Sequence, residues 1–116
     1  MAMNICANQA LKLWHDVTHE LVREQDTDLS ARQMTVLLTV YLETPPHTVR
    51  GLAAKLEVTK PAITRALDTM GRMDLLTRRR DDQDKRNVVI LRTVKGALYV
   101  ERLGHKIVET TRALKD

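Results

Sequence analysis

Apolar residues recur at Ala7, Ala10, Leu11, Trp14, Val17, Leu21 and Val22, the three- and four-residue spacing that gives a helix one buried stripe. The pattern predicts a first helix over residues 7–25, ended by Asp26-Thr27-Asp28. Ser30, with Gln33 three residues later, has the form of a capping box. A second helix follows to about Glu43. Its apolar positions (Met34, Val36, Leu37, Leu38, Val40, Tyr41, Leu42) run nearly all round, as expected of a helix at the centre of a small domain. Thr44-Pro45-Pro46 stops it.

Thr48 can cap a short third helix, with Val49, Leu52, Ala53 and Leu56 on one face. After a tight turn Thr59 is a second N-cap, and Pro61 falls in a first turn that has no intrahelical donor to lose. Ile63, Leu67 and Met70 form the stripe of a fourth helix, 59–73. Two β-prone segments follow, Leu76 to Arg80 and Asn87 to Arg92, separated by six polar residues from Asp81 to Arg86. They predict a hairpin. Thr93 caps a last helix, 94–114, with its stripe at Val100, Leu103, Ile107, Val108 and Leu114. The order of elements predicts a mainly α fold with a small β-hairpin wing, a winged helix-turn-helix, as one domain over 1–116.

Composition agrees. Hydrophobic residues are 43% of the 116 and charged residues 29%, so the chain should fold rather than stay disordered. Aromatics are 3% with no Phe, which leaves the core to aliphatic side chains and helix packing. The net charge is +4, and its placement says more than its size. Residues 1–58 carry five basic and seven acidic side chains, residues 59–93 nine and five, residues 94–116 five and three. The positive field therefore lies in the second half, over the fourth helix and hairpin. No signal-peptide pattern opens the chain and the longest apolar run, Val88 to Leu91, is far too short to cross a bilayer. A cytoplasmic protein is expected, without membrane association. The single cysteine, Cys6, excludes an internal disulfide, and no Cys/His cluster has structural-zinc spacing.

The major groove of DNA admits one α-helix. On the fourth helix, Thr59, Lys60, Pro61, Ala62, Thr64, Arg65, Asp68 and Thr69 are left over from the stripe and lie where a recognition helix carries its readers. Arg65 can make a two-point contact to guanine, Lys60 can reach a guanine or a phosphate, and Pro61 and Ala62 can pack on a thymine methyl. Arg50, at the start of the third helix, joins this basic surface. In the hairpin, Arg78 and Arg80 share one strand face. Lys85 and Arg86 stand at the tip, where Arg86 can enter the minor groove. Asp84 is expected to accept hydrogen bonds from loop amides or a neighbouring arginine, holding the tip rigid.

The segment Leu29 to Gly96 resembles the DNA-binding lobe of the MarR family of bacterial transcription regulators. The likeness rests on Leu75-Leu76-Thr77-Arg78 leading to Asp84-Lys85-Arg86, then Thr93-Val94-Lys95-Gly96, behind Thr59 to Arg65. Two positions depart from the family pattern: Arg92 stands where leucine is usual, and Glu57 takes a turn position where glycine is frequent. The resemblance implies sequence-specific binding to double-stranded DNA and repression from a pseudo-palindromic operator. It also implies a homodimer built from the first and last helices, release by a small-molecule effector, and no cofactor. The dimer surface would then fall on Leu11, Trp14, Leu21, Leu103, Ile107 and Leu114. The family's further C-terminal helix has no counterpart in this sequence.

Other chemistry finds less support. Cys6 precedes Ser30 by 24 residues, near the place of the reactive thiol in the family's peroxide-sensing branch, but Tyr41 and Tyr99 do not fall at the accompanying tyrosine positions; a bystander thiol is expected. His15 and His19 have the four-residue spacing of a shared metal, yet lie on the polar side of the stripe, where a surface pair is the ordinary outcome. An enzyme is not expected, since there is no phosphate-cradling glycine loop and no nucleophile elbow. The alternative to DNA binding is a winged helix serving as a protein-interaction or assembly module. That would need an apolar patch on the fourth helix, where Lys60, Thr64, Arg65 and Asp68 stand instead.

Overall fold

The computed structural model describes residues 4–24 and 28–114. Eight elements follow in order: α1 (Ala7–Arg23), α2 (Ala31–Leu42), β1 (His47–Thr48), α3 (Val49–Leu56), α4 (Lys60–Arg72), β2 (Leu76–Arg80), β3 (Val88–Arg92) and α5 (Val94–Arg112). The mainly α winged helix-turn-helix expected from the pattern is the fold observed. The end of the first predicted helix at Gln25 and the break at Asp26-Thr27 lie outside the described residues. Contacts divide the chain into two compact units, 29–100 and 1–28 with 101–116.

In the 29–100 unit each helix begins where a short polar side chain takes a backbone donor that the first turn leaves without a partner. Ser30 Oγ accepts from Gln33 N at 3.1 Å while Ser30 N donates to Gln33 Oε1 at 2.8 Å. Thr48 Oγ1 accepts from Gly51 N, Thr59 Oγ1 from Ala62 N and Thr93 Oγ1 from Gly96 N. The core packs Val36, Leu37 and Val40 of α2 against Leu52, Ile63, Leu67, Met70, Leu75, Ile90 and Tyr99. Each such side chain contributes about 1.5–3 kcal/mol by leaving water. The apolar circumference expected for α2 is broken at Leu42, which is 73% exposed.

The hairpin is one part of a three-stranded antiparallel sheet in the order β1-β3-β2. The short strand β1, at the position read as cap alone, pairs His47 with Ile90 and Thr48 with Val89. In β2 and β3, Leu76 faces Arg92, Arg78 faces Ile90 and Arg80 faces Val88. Asn87, read as the first residue of the second strand, closes the loop instead: its N–H donates to Asp84 O and its carbonyl accepts from Asp81 N.

Tyr41 ties the foot of this sheet together. Its hydroxyl accepts from Thr93 N and lies 3.0 Å from the carbonyls of Leu75 and Thr93. Gly96 passes so close that an added Cβ would stand 2.0 Å from Tyr41 Oη and 2.1 Å from Leu75 O, which requires glycine there.

In the other unit, Lys106 lies between Glu24 at 2.5 Å and Glu20 at 3.5 Å. Hydrogen bonding to Glu24 raises its pKa, against a smaller opposing effect of burial. Val17 and Leu103 are buried.

Candidate nucleic-acid interface

The turn into α4 is built by Glu57, which takes the left-handed conformation (φ 56°, ψ 46°). Its N–H then reaches back to the carbonyls of Ala53 and Ala54 and ends α3. Two residues later Thr59 caps α4, with Pro61 in the first turn. Ala62, Ile63, Ala66, Leu67 and Met70 are buried. Thr59, Lys60, Pro61, Thr64 and Arg65 are exposed together, while Asp68 and Thr69 are half-buried. Lys60 and Arg65 have no side-chain hydrogen bond or ion pair among the described residues, so both cations are free to meet an anion. Ala62 corrects the sequence reading: at 6% exposure its methyl is part of the core and cannot reach a thymine. The helical stripe is wider than the three large residues suggested, because alanine completes it where backbones approach.

The wing tip is held by its own polar groups. Asp84 Oδ1 accepts from Arg86 N at 3.1 Å and Arg86 Nε at 3.0 Å, and Oδ2 accepts from Arg86 Nη2 at 3.2 Å. The hydrogen bonds from Arg86 hold the Asp84 carboxyl below its ordinary pKa, and the charge of Arg50 acts in the same direction. Arg50 of α3 is exposed. The Asp84 carboxylate thus engages both the amide and the guanidinium of Arg86. Arg80 Nη1 donates to Lys85 O at 2.7 Å, and Gln83 N donates to Asp81 Oδ1. Lys85 and Arg86 are exposed.

Arg78 and Arg80 do share a face, but it is the face of buried Ile90 and Leu76. Arg78 is turned onto α4, where it forms an ion pair with Asp68. Both arginines are exposed; Arg78 is paired with Asp68, while Arg80 has no ion pair among the described residues. Arg79, also exposed, lies on the opposite face.

The residues expected at a dimer surface separate. Leu11 and Trp14 of α1 are 68% and 63% exposed, Ile107 is exposed, and Leu21 and Leu114 are half-buried. Leu103 is 7% exposed, buried within its own chain. His15 and His19 stack with ring centroids 5.7 Å apart, and His15 Nδ1 lies 3.0 Å from Asp16 Oδ1. Among the described residues no group of three or more His, Cys, Asp or Glu gathers as for a metal ion. Cys6 is exposed at the start of α1. No helix of the described residues is long and apolar enough to cross a membrane.

Comparison with known proteins bears on this arrangement. No curated protein matches the chain. Among solved structures, a mutant of MepR from a multidrug-resistant S. aureus clinical isolate superposes with a TM-score of 0.72 at 24% identity, covering 95% of this chain and 81% of that one. A second S. aureus MepR mutant, bound to an oligodeoxyribonucleotide, gives 0.67 at 24% identity, with 90% and 83% covered. Overoxidised AbfR bound to DNA gives 0.68 at 22% identity, with 89% and 74% covered. These likenesses establish the fold. The family model described as MarR family matches residues 29–88, just over half of the chain and almost all of the helix-turn-helix and wing. The chain belongs to the MarR family of transcription regulators.

Proposed function

We propose that this chain is a sequence-specific regulator that binds double-stranded DNA, with α4 in the major groove and the tip of the wing in the adjacent minor groove. The observation that carries the reading is the pair of unengaged cations, Lys60 and Arg65, on the exposed N-terminal half of α4. An arginine there has the reach for a bidentate contact to guanine, and the helix N-terminus favours a phosphate. The DNA-bound states of MepR and AbfR support the same docking of a similar fold. The exposed α4 face is polar and charged, unsuited to an apolar protein partner.

The chain acts as a repressor, covering a pseudo-palindromic operator as a homodimer. The exposed Leu11 and Trp14 of α1 and Ile107 of α5 support the dimer, because leaving large apolar side chains in water costs free energy that burial against a second copy recovers. Two half-sites about one helical turn apart should then be protected together. A small-molecule effector would release the operator, and the protein works in the cytoplasm.

Salt titration tests the core of this proposal. Binding to random duplex DNA should weaken linearly in log-log form with a slope of about −0.9 per neutralised phosphate. A flat response excludes a nucleic-acid function. Footprinting separates the dimer from a monomeric binder, which protects one half-site only.

A further inference from the structure

The geometry points to Arg92 as the residue that positions the wing. Arg92 stands where the family pattern carries leucine, and it occupies the end of β3. Arg92 is exposed as a residue, yet its guanidinium is engaged on the protein. Nε donates to Val40 O at 2.9 Å and Nη2 to Glu43 O at 3.2 Å, two carbonyls at the C-terminus of α2. Carbonyls there lack intrahelical donors and carry the negative end of the helix dipole. α2 has no basic residue in its own last turn. The cation that caps it arrives from β3, 52 residues along the chain from Val40.

The same guanidinium lies over the ring of Tyr41, 5.7 Å from its centroid. Tyr41 Oη in turn takes the N–H of Thr93, the next residue after Arg92. Thr93 Oγ1 donates to Asp74 O at 2.6 Å, just before β2 begins. Both roots of the hairpin therefore converge on one point of α2. α2 also packs against α4, so the helix proposed to enter the major groove and the hairpin proposed to enter the minor groove share one support. Arginine suits the task because two donors on one edge of a rigid plane match two carbonyls, which leucine or lysine cannot do. The chain holds its wing by a polar anchor where the family pattern has an apolar one.

The functional part of this inference rests on the minor-groove role of Arg86, so two measurements are needed. The first uses the free protein. In Arg92→Leu, the family's own residue, amides of residues 78–92 should exchange roughly tenfold faster while those of Val36, Leu37 and Met70 keep their wild-type rates. Arg92→Lys, with one donor group in place of a fork, should fall between. Unchanged hairpin rates, or equal acceleration throughout the fold, would overturn the anchoring role. The second is a double-mutant cycle on DNA affinity. Arg86 lies in the loop beyond the far end of β3 from Arg92, and the strand's four residue steps alone span roughly 13 Å, a distance at which unrelated effects add. Arg86→Ala should weaken binding roughly tenfold in the wild type and less than about threefold in Arg92→Leu. The same loss in both backgrounds overturns positioning. No loss in the wild type overturns the minor-groove role alone, and the exchange rates then decide the anchor.

Discussion

Arg78 of β2 and Asp68 of α4 form an ion pair that ties the first strand of the wing to α4. The pair gives Asp68 of α4 and the exposed Arg78 of β2 a partner each. Asp68 fixes the Arg78 guanidinium against α4 and lowers the positive charge of that helix.

Asp68→Ala should therefore release Arg78 and remove a repulsive charge, raising affinity for random DNA several-fold and lowering the ratio of specific to random binding. Stability should change by about 1 kcal/mol or less, since both partners are partly exposed. Fluorescence anisotropy on specific and random duplexes measures this. Unchanged random binding would show that Arg78 does not reach the backbone.

Arg65→Ala should cost about 1–3 kcal/mol more on the preferred site than on random duplex, the signature of base reading. Equal losses on the two would reassign Arg65 to a phosphate.

Glu57 occupies the left-handed region, at φ 56°, where a side chain is strained and glycine is not. Glu57→Gly should stabilise the fold by about 0.5–1 kcal/mol, read as a higher urea midpoint at constant m. A lower midpoint would mean that the added freedom of the unfolded chain outweighs the relieved strain.

Gly96→Ala should do the reverse. With a Cβ 2.0 Å from Tyr41 Oη and 2.1 Å from a backbone oxygen, relaxation must break the bonds at Tyr41 or shift α5. About 3 kcal/mol of destabilisation is expected by denaturation. A loss below about 1 kcal/mol would show that the junction yields easily.

The Asp84 carboxyl titrates below its ordinary value of 3.8, first because of Arg86. A depressed folded pKa gives order that is present above the unfolded value and is lost as pH falls through the folded one. The tip should thus stay unchanged from pH 8 down to about 4 and loosen only below that. The NMR signal of Arg86 Nε–H follows it. Broadening that sets in near pH 6 would assign the control to another group.

Much of the fold was legible because its determinants are local. Ser30 with Gln33, and Thr48, Thr59 and Thr93 with the amides three residues on, announce helix starts within a single turn. The stripe Ile63, Leu67 and Met70 announces a buried face by its period. The polar run from Asp81 to Arg86 marked the wing loop, and the family's pattern is carried by that same stretch. β1 was invisible, since two residues have no periodicity and His47-Thr48 becomes a strand only by pairing with β3.

The sequence by itself determined the helices, their caps, the position of the wing and the concentration of positive charge around α4, because each depends on residues a few positions apart. Only the tertiary structure decided what the arginines do. Arg78 pairs with Asp68, ten residues away in sequence, and Arg92 caps a helix 49 and 52 residues before it. It also took Ala62 from the surface into the interior. Partners so distant leave no periodic trace, because a guanidinium or a methyl takes its role from the groups that the fold brings within a few ångströms of it.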